Sequence, residues 1–190
     1  MVRTFLAIDL PNEVKDHLLK LQNSLKQAKA DVRWVKKDLM HLTMRFLGDV
    51  TPDMIPMIGE AANIAINGLE TFEIKTSNLG VFPNLRRPKV IWVGLAGKVG
   101  ILNLLKERLD NNLLQIGFQK EDRPFSPHLT LGRIKSGKNI SKLSQMIIEQ
   151  DKLSINQKII SFKVKELLVY KSVLSPSGPS YTILSRHSFK

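Results

Sequence analysis

Apolar residues in the first half of the chain recur with spacings that predict strands alternating with helices. A largely apolar run over residues 4–10, bounded by Pro11, is typical of a buried strand. Beyond it, apolar residues recur at steps of four and three, which predicts a helix over residues 12–29. Further predicted elements are strands over residues 33–35, 40–47 and 72–82, and a helix from residue 51 to near Gly68.

The second half of the chain repeats this order. Its predicted elements are a strand over residues 90–95, a helix over 99–115, a strand over 127–134, a helix over 140–149, and strands over 159–173 and 181–186 around a turn at 175–179. Each half therefore runs strand, helix, strand, helix, strand, which is typical of a duplicated α+β unit. We expect residues 1–190 to form one domain of two interleaved repeats.

A four-residue motif occurs once in each predicted repeat. His41-Leu42-Thr43-Met44 returns as His128-Leu129-Thr130-Leu131, and the offset, 128 − 41, is 87 residues. Side chains on a strand alternate between its two faces. One face of the first strand should therefore carry His41, Thr43 and Arg45, and one face of the second should carry His128, Thr130 and Gly132. The leucines would face the core, and Gly132 would leave room for a ligand.

Two histidines that face each other suit proton transfer. With a pKa of about 6.5, one imidazole can be neutral while the other is protonated near neutral pH. The neutral ring can take a proton from water, and the charged ring can give one to a leaving oxygen. The nearby threonine hydroxyls can donate to the non-bridging oxygens of a phosphate, and Arg45 or Arg133 can hold the rest of an anionic substrate.

Other interpretations of these histidines carry less weight. A single histidine beside a threonine on a strand is usually solvated or hydrogen-bonded within the structure, and the repetition of the pair argues against that. A zinc site usually needs three or four ligands, and the chain has no cysteine, so we expect no metal and no cofactor. The remaining histidines, His17 and His187, are predicted to be solvated.

The charge balance indicates an anionic partner. The chain has 29 Lys and Arg against 17 Asp and Glu, a net charge of +12. The excess is 13 − 10 = +3 over residues 1–95 and 16 − 7 = +9 over residues 96–190. Such a surface attracts nucleic-acid phosphates, although a coat that only maintains solubility would look the same.

Several classes of protein are excluded by what the sequence lacks. Without cysteine there is no disulfide framework and no cysteine nucleophile. No apolar run approaches the roughly 20 residues that a membrane span needs, and Asp9 follows too soon for a signal peptide. We expect a cytoplasmic monomer with no obligate protein partner.

The repeated motif and its surroundings resemble the 2H phosphoesterase superfamily, and most closely its RNA 2′,3′-cyclic phosphodiesterase branch, also called 2′-5′ RNA ligase. The similarity covers nearly the whole chain. Segments that carry it are residues 4–9, Arg33-Trp34-Val35 with residues 41–48, residues 81–94, residues 125–133 and residues 172–181. Met44 and Gly132 depart mildly from the family pattern, where Leu and Ala are usual.

The resemblance implies a bilobal α+β fold, with a cleft between two pseudo-symmetric lobes of mainly antiparallel sheet. It implies metal-independent hydrolysis of an RNA 2′,3′-cyclic phosphate to a 2′-phosphate. His41 would then donate a proton to the 3′ oxygen, and His128 would activate water. Thr43, Thr130 and Arg133 would bind the phosphate. Simple alternation puts Arg133 on the wrong face for this role, so the strand must twist or end there, while Arg45 has the right parity and could equally be solvated.

Two alternatives remain at this point. One is 2′-5′ ligation of tRNA-half-like RNA ends, in which a 5′-hydroxyl replaces water in the same site. The other is a non-catalytic RNA-binding module, which would need aromatic residues exposed on a sheet. Only 6% of the residues are aromatic, and Phe5, Phe46 and Trp92 lie within apolar runs, which argues against such a platform.

Overall fold

A computed structural model of the chain describes residues 1–154, 159–176 and 178–190. Ser177, in the middle of the predicted closing turn, lies outside the described residues. Nine strands and four α-helices follow one another along the described chain: β1 (Val2–Asp9), α1 (Asn12–Leu25), β2 (Val32–Trp34), β3 (His41–Val50), α2 (Met54–Ile66), β4 (Phe72–Phe82), β5 (Val90–Gly97), α3 (Val99–Gln115), β6 (His128–Ile134), α4 (Ile140–Ser154), β7 (Ser161–Val164), β8 (Glu166–Ser175) and β9 (Gly178–Ser188).

The strands form one antiparallel sheet with a symmetric order. From edge to edge the order is β7-β4-β5-β6-β3-β1-β8-β9, and the short strand β2 also pairs with β6. The sheet divides at the β3–β6 boundary into two sets of four strands, and the two central strands carry the repeated motif. We call β9-β8-β1-β3 the first lobe and β7-β4-β5-β6 the second lobe. The α+β class and the two-lobed antiparallel arrangement are confirmed.

Each lobe is covered by helices on one face only. Helices α2 and α3 pack together, with α2 on β8 and β9 and α3 on β3, whereas α4 packs on β4 and α1 on β6. The lobes therefore exchange helices. Helix α1 follows a strand of the first lobe and covers the second, and α3 does the reverse.

The core lies between the sheet and these helices. The apolar face of α1 is fully buried at Val14, Leu18 and Leu25, as the spacing predicts. After Leu25 the α-helix tightens into a 3₁₀ turn that ends at Ala28, so the predicted helix over residues 12–29 is two consecutive segments. No helix in the described part of the chain combines the length and apolarity needed to cross a membrane.

One predicted strand, over residues 159–173, is two strands in the structure. β7 pairs with β4 of the second lobe, while β8 pairs with β1 and β9 of the first. The chain passes from one lobe to the other at Lys165, between the two strands. Hydrophobic spacing does not detect this crossing, because both strands have a buried face.

Candidate active site

The two copies of the motif meet at the centre of the sheet. β3 and β6 are antiparallel neighbours, and Leu42 pairs directly with Leu129. A local twofold axis that exchanges the two copies therefore passes between Leu42 and Leu129. Continued by one residue in each direction, this register places each histidine opposite the threonine of the other copy. These pairs are His41 with Thr130 and His128 with Thr43.

The histidines share one face of the sheet. Leu42 and Leu129 are buried toward the helices, whereas their neighbours on each strand lie on the opposite, concave face. As diagonal partners across two antiparallel strands, His41 and His128 have backbone positions about 7–8 Å apart. At that backbone separation, two imidazoles can flank a tetrahedral phosphorus, with a group entering from one side and a group leaving on the other.

A backbone carbonyl fixes the tautomer of both imidazoles. Nδ1 of His41 lies 2.8 Å from the carbonyl oxygen of Leu39, and Nδ1 of His128 lies 2.7 Å from that of Ser126. A carbonyl only accepts hydrogen bonds, so each Nδ1 carries the proton. The neutral rings therefore have their lone pairs at Nε2. In the first copy, Nε2 accepts a hydrogen bond from the Thr43 hydroxyl at 2.9 Å.

Aromatic rings support both histidines. His41 packs on Phe5 and Tyr181, with ring centroids 5.0 and 5.4 Å away. His128 packs on Phe82 and Trp92, with ring centroids 5.0 and 6.4 Å away. A hydrogen bond to a backbone carbonyl already holds each imidazole through Nδ1. The aromatic rings further restrict the orientation of each imidazole.

Burial dominates the electrostatic surroundings of His41. Burial lowers the pKa of His41 below its ordinary value of 6.5, and the positive charges of Lys15 and Arg133 act in the same direction. The Leu39 carbonyl and the Asp9 carboxylate oppose this shift without cancelling it. His41 is therefore neutral at neutral pH in the unliganded protein.

A repeated β-bulge changes the face on which the residues after each motif lie. In β3, Ala7 pairs with Thr43 and Leu6 with Arg45, so Met44 is an extra residue. In β6, Trp92 pairs with Thr130 and Ile91 with Gly132, so Leu131 is the extra residue. The offset between the extra residues, 131 − 44, is again 87. Beyond each bulge the alternation of faces is reversed.

The second bulge brings Arg133 onto the face of His128 and Thr130. Its side chain is exposed there, and its positive charge lowers the pKa of both His41 and Tyr181. Simple alternation along the strand predicts Arg133 on the opposite face, and the bulge at Leu131 reverses that alternation. The prediction for Gly132 is wrong, because a Cβ there would lie 2.7 Å from Val32 and 3.0 Å from Trp34, on the core side.

The first bulge removes Arg45 from the face of His41 and Thr43, so the predicted same-face position is wrong. Arg45 is 5% exposed and points toward α3. Its guanidinium donates to the carbonyl oxygen of Gln119 and lies 3.6 Å from the Asp110 carboxylate and 3.2 Å from that of Glu121. We therefore do not include Arg45 among the phosphate ligands.

The same bulge brings Phe46 to the concave face, where it is 43% exposed. The guanidinium carbon of Arg3 lies 4.7 Å from the centre of its ring. Although Phe46 lies within an apolar run of the sequence, its ring does not pack in the core, as simple alternation along the strand would have placed it. Phe46 and Arg133 occupy equivalent positions of the two repeats, since 133 − 46 is 87.

The two histidines outside the motifs lie away from the cleft. His187 is only 5% exposed, and its Nδ1 donates to the Asn63 side-chain oxygen at 2.6 Å. Its Nε2 lies 2.8 Å from the hydroxyl of Ser185. The prediction that His187 is solvated is therefore wrong. His17 is partly exposed on α1.

A cavity of about 440 Å³ opens beside His41. Its volume lies in the usual range for small-ligand sites, about 300–1,000 Å³. Aromatic, acidic and basic side chains line it, among them Asp9, Lys36, Asp38, Tyr170 and Tyr181. Burial raises the pKa of both tyrosines, so they remain neutral phenols. In the described ranges, no three His, Asp or Glu side chains group together in a way that could hold a metal ion.

Sequence comparisons identify the class of protein that this site defines. Residues 8–92 and 96–181 match the family model described as LigT-like phosphoesterase. The protein is thus a phosphoesterase. The chain belongs to the LigT-like phosphoesterase family, and the resemblance to the 2H phosphoesterases is confirmed.

Individual relatives cover almost the whole chain. An RNA 2′,3′-cyclic phosphodiesterase of Methanothermobacter thermautotrophicus is 36% identical over 95% of both chains. The enzyme of the same name from Thermotoga maritima is 32% identical over 100% of this chain and 96% of its own. Among solved structures, E. coli LigT complexed with 3′-AMP is 25% identical, with a TM-score of 0.77 over 100% of this chain and 98% of its own.

Proposed function

We propose that the protein hydrolyses RNA 2′,3′-cyclic phosphate ends to 2′-phosphates by metal-independent acid–base catalysis. One observation carries the proposal: the Leu42–Leu129 pairing that brings the two His-x-Thr strands together on one concave face. The names of the relatives supply the substrate class, because several of them are RNA 2′,3′-cyclic phosphodiesterases.

The reaction then uses the two Nε2 atoms in opposite roles. Nε2 of His128 takes a proton from water as the water oxygen attacks phosphorus. The bond between phosphorus and the ribose 3′ oxygen breaks, and protonated Nε2 of His41 gives its proton to that oxygen. The product is a 2′-phosphate, and the histidines have exchanged protonation states. The hydroxyls of Thr43 and Thr130 and the guanidinium of Arg133 bind the non-bridging oxygens, where negative charge grows in the transition state.

The surroundings of His41 support its assignment as the acid. In-line displacement puts the ribose on the side of the acid and the water on the side of the base. The cavity beside His41 offers space for the nucleoside on that side. Burial, by lowering the pKa of His41, also makes its imidazolium a stronger acid.

The direct test is incubation of the protein with an RNA that ends in a 2′,3′-cyclic phosphate, in the presence of EDTA. We expect conversion to the 2′-phosphate isomer, identified by chromatography against both isomers. His41→Ala and His128→Ala should each lower kcat by about 10²–10⁴-fold, the usual contribution of general acid–base catalysis. His17→Ala, on α1, is the matched control and should keep the wild-type rate.

Two results of this assay would contradict the proposal. If activity is lost in EDTA and returns when a divalent metal is added, catalysis depends on a metal. Near wild-type turnover by His41→Ala or by His128→Ala would contradict the two-histidine mechanism. Adding an RNA with a 5′-hydroxyl to the same mixture measures ligation against hydrolysis, because that hydroxyl competes with water for the same base.

A further inference from the structure

A second arginine lies directly opposite Arg133 in the sheet. In the pairing of β2 with β6, Arg33 is the register partner of Arg133. Residues in this relation have Cβ atoms about 4.5–5.5 Å apart on the same face of the sheet. Arg33 belongs to the Arg33-Trp34-Val35 segment that supports the family resemblance, but the sequence alone gives it no role.

The packing of β2 places Arg33 on the concave face. Its neighbour Trp34 packs against the core, beside the position where a Cβ on Gly132 would be. Arg33 is next to Trp34 on β2, and Arg133 is next to Gly132 on β6. Because neighbouring side chains on a strand alternate, both arginines point away from the core, and both are exposed. Arg133 is close enough to the catalytic centre to lower the pKa of His41.

Two guanidinium groups in this relation repel each other. Like charges directly opposite on a sheet are destabilising, and within the described residues neither arginine forms an ion pair with a carboxylate. In the part of the chain that the structure describes, no ion pair offsets this repulsion. Two bound anionic groups would offset it.

We infer that Arg33 binds the phosphodiester on the 5′ side of the terminal nucleotide, while Arg133 binds the cyclic phosphate. This inference rests on the proposed function and narrows it to RNA chains in preference to mononucleotides. β2 leads into the segment that lines the cavity beside His41 through Lys36 and Asp38. A nucleoside bound in that cavity would have its cyclic phosphate at the histidines and its 5′ oxygen directed outward along β2, toward Arg33.

The test compares two substrates that differ only in the 5′ phosphodiester. One is adenosine 2′,3′-cyclic phosphate, which lacks it, and the other is a short oligoadenylate with the same cyclic end. Arg33→Gln should lower kcat/KM for the oligonucleotide by about tenfold or more, the usual effect of losing a charge-assisted hydrogen bond. It should leave kcat/KM for the mononucleotide within about twofold of wild type. Arg133→Gln should lower both.

Three controls separate binding from loss of charge or structure. Lys20→Gln removes one positive charge from the exposed side of α1 and should leave kcat/KM unchanged for both substrates. Arg33→Lys keeps the charge and should recover part of the oligonucleotide preference. Arg33→Gln should also reduce by about one the slope of log binding constant against log salt for the oligonucleotide.

Failure of this inference is distinguishable from failure of the proposed function. If wild type hydrolyses both substrates and Arg33→Gln lowers both equally or neither, Arg33 does not bind a second phosphate. If wild type hydrolyses neither, the proposed function is wrong. Binding still tests Arg33 in that case, by fluorescence anisotropy of a labelled oligoadenylate with a 3′-phosphate. Unchanged affinity in Arg33→Gln would overturn the inference by this route too.

Discussion

At the scale of single residues, the two histidines are alike in hydrogen bonding and unlike in surroundings. Both imidazoles donate from Nδ1 to the carbonyl two residues earlier and present Nε2 to the cleft. His41 lies beside the cavity, and burial lowers its pKa. The symmetry of the motifs therefore provides two equivalent groups, and in the proposed mechanism the surroundings of His41 assign it as the proton donor.

A substrate that needs no acid tests this assignment. The nitrophenolate released from bis(4-nitrophenyl) phosphate leaves without being protonated. His41→Ala should therefore lose about 10²–10⁴-fold on the cyclic phosphate but less than about tenfold on the aryl ester, measured as release of nitrophenolate. His128→Ala should lose activity on both. The opposite pattern would exchange the roles of the two histidines.

The pH dependence gives a second test of the same residue. As the acid, His41 must be protonated, so kcat/KM should fall as the pH rises through its pKa, which lies below 6.5. The positive charge of Arg133 lowers that pKa. Arg133→Gln should therefore move the falling limb of the profile to higher pH, and Lys20→Gln should leave it in place. An unmoved falling limb in Arg133→Gln would count against the assignment.

At the scale of elements, a buried charge cluster joins β3, α3 and the segment before β6. Arg45 lies within reach of Asp110 and Glu121, and Lys106 lies 2.6 Å from Asp110 and 3.1 Å from Glu121. Glu121 belongs to the segment that leads to Ser126, whose carbonyl oxygen holds His128. The cluster thus connects the strand of one histidine to the support of the other.

Removal of Arg45 should weaken this connection. Arg45→Met removes a buried cation from the partly exposed carboxylates of Asp110 and Glu121, which keep Lys106 as a partner, and should cost about 1–3 kcal/mol of unfolding free energy. The measurement is urea unfolding, with kcat determined where the variant is fully folded. Arg186→Met breaks the exposed pair with Glu166 and should cost less than about 1 kcal/mol. Equal costs for the two variants would show that the buried cluster is not stabilising.

Much of the element order follows from the sequence, whereas the faces of the residues after each motif do not. Hydrophobic spacing predicts β4, α3 and the position of both motifs, because these segments have a strong periodic pattern. Alternation fails at Arg45, Gly132 and Arg133, all one or two residues beyond a bulge. A bulge depends on how neighbouring strands pair, and the spacing within a single strand does not contain that information.

At the scale of the whole molecule, buried histidines make the fold sensitive to acid. Burial lowers the pKa of both His41 and His187, so the folded protein binds these protons less readily than the unfolded chain does. Their contribution to stability is present above pH 6.5, the ordinary pKa, and is lost as the pH falls toward the folded values. His187 also connects α2 to β9 through Asn63.

Unfolding midpoints at pH 7.5 and pH 5 measure this effect. We expect wild type to lose stability at the lower pH. His187→Gln should be less stable at pH 7.5 by about 1–3 kcal/mol, because buried hydrogen-bonding groups lose a partner, and should lose less on acidification. Identical acid sensitivity in wild type and His187→Gln would show that His187 does not contribute to it.

The exchange of α1 and α3 between the lobes has a consequence for the origin of the fold. Helix α1 covers β6 of the second lobe and α3 covers β3 of the first, so a single half without its partner would leave an apolar surface under the missing helix. Two identical copies of such a half could bury that surface if each covered the sheet of the other with one helix. In such a dimer, the twofold axis between the two motif strands would bring one histidine from each chain onto the same concave face.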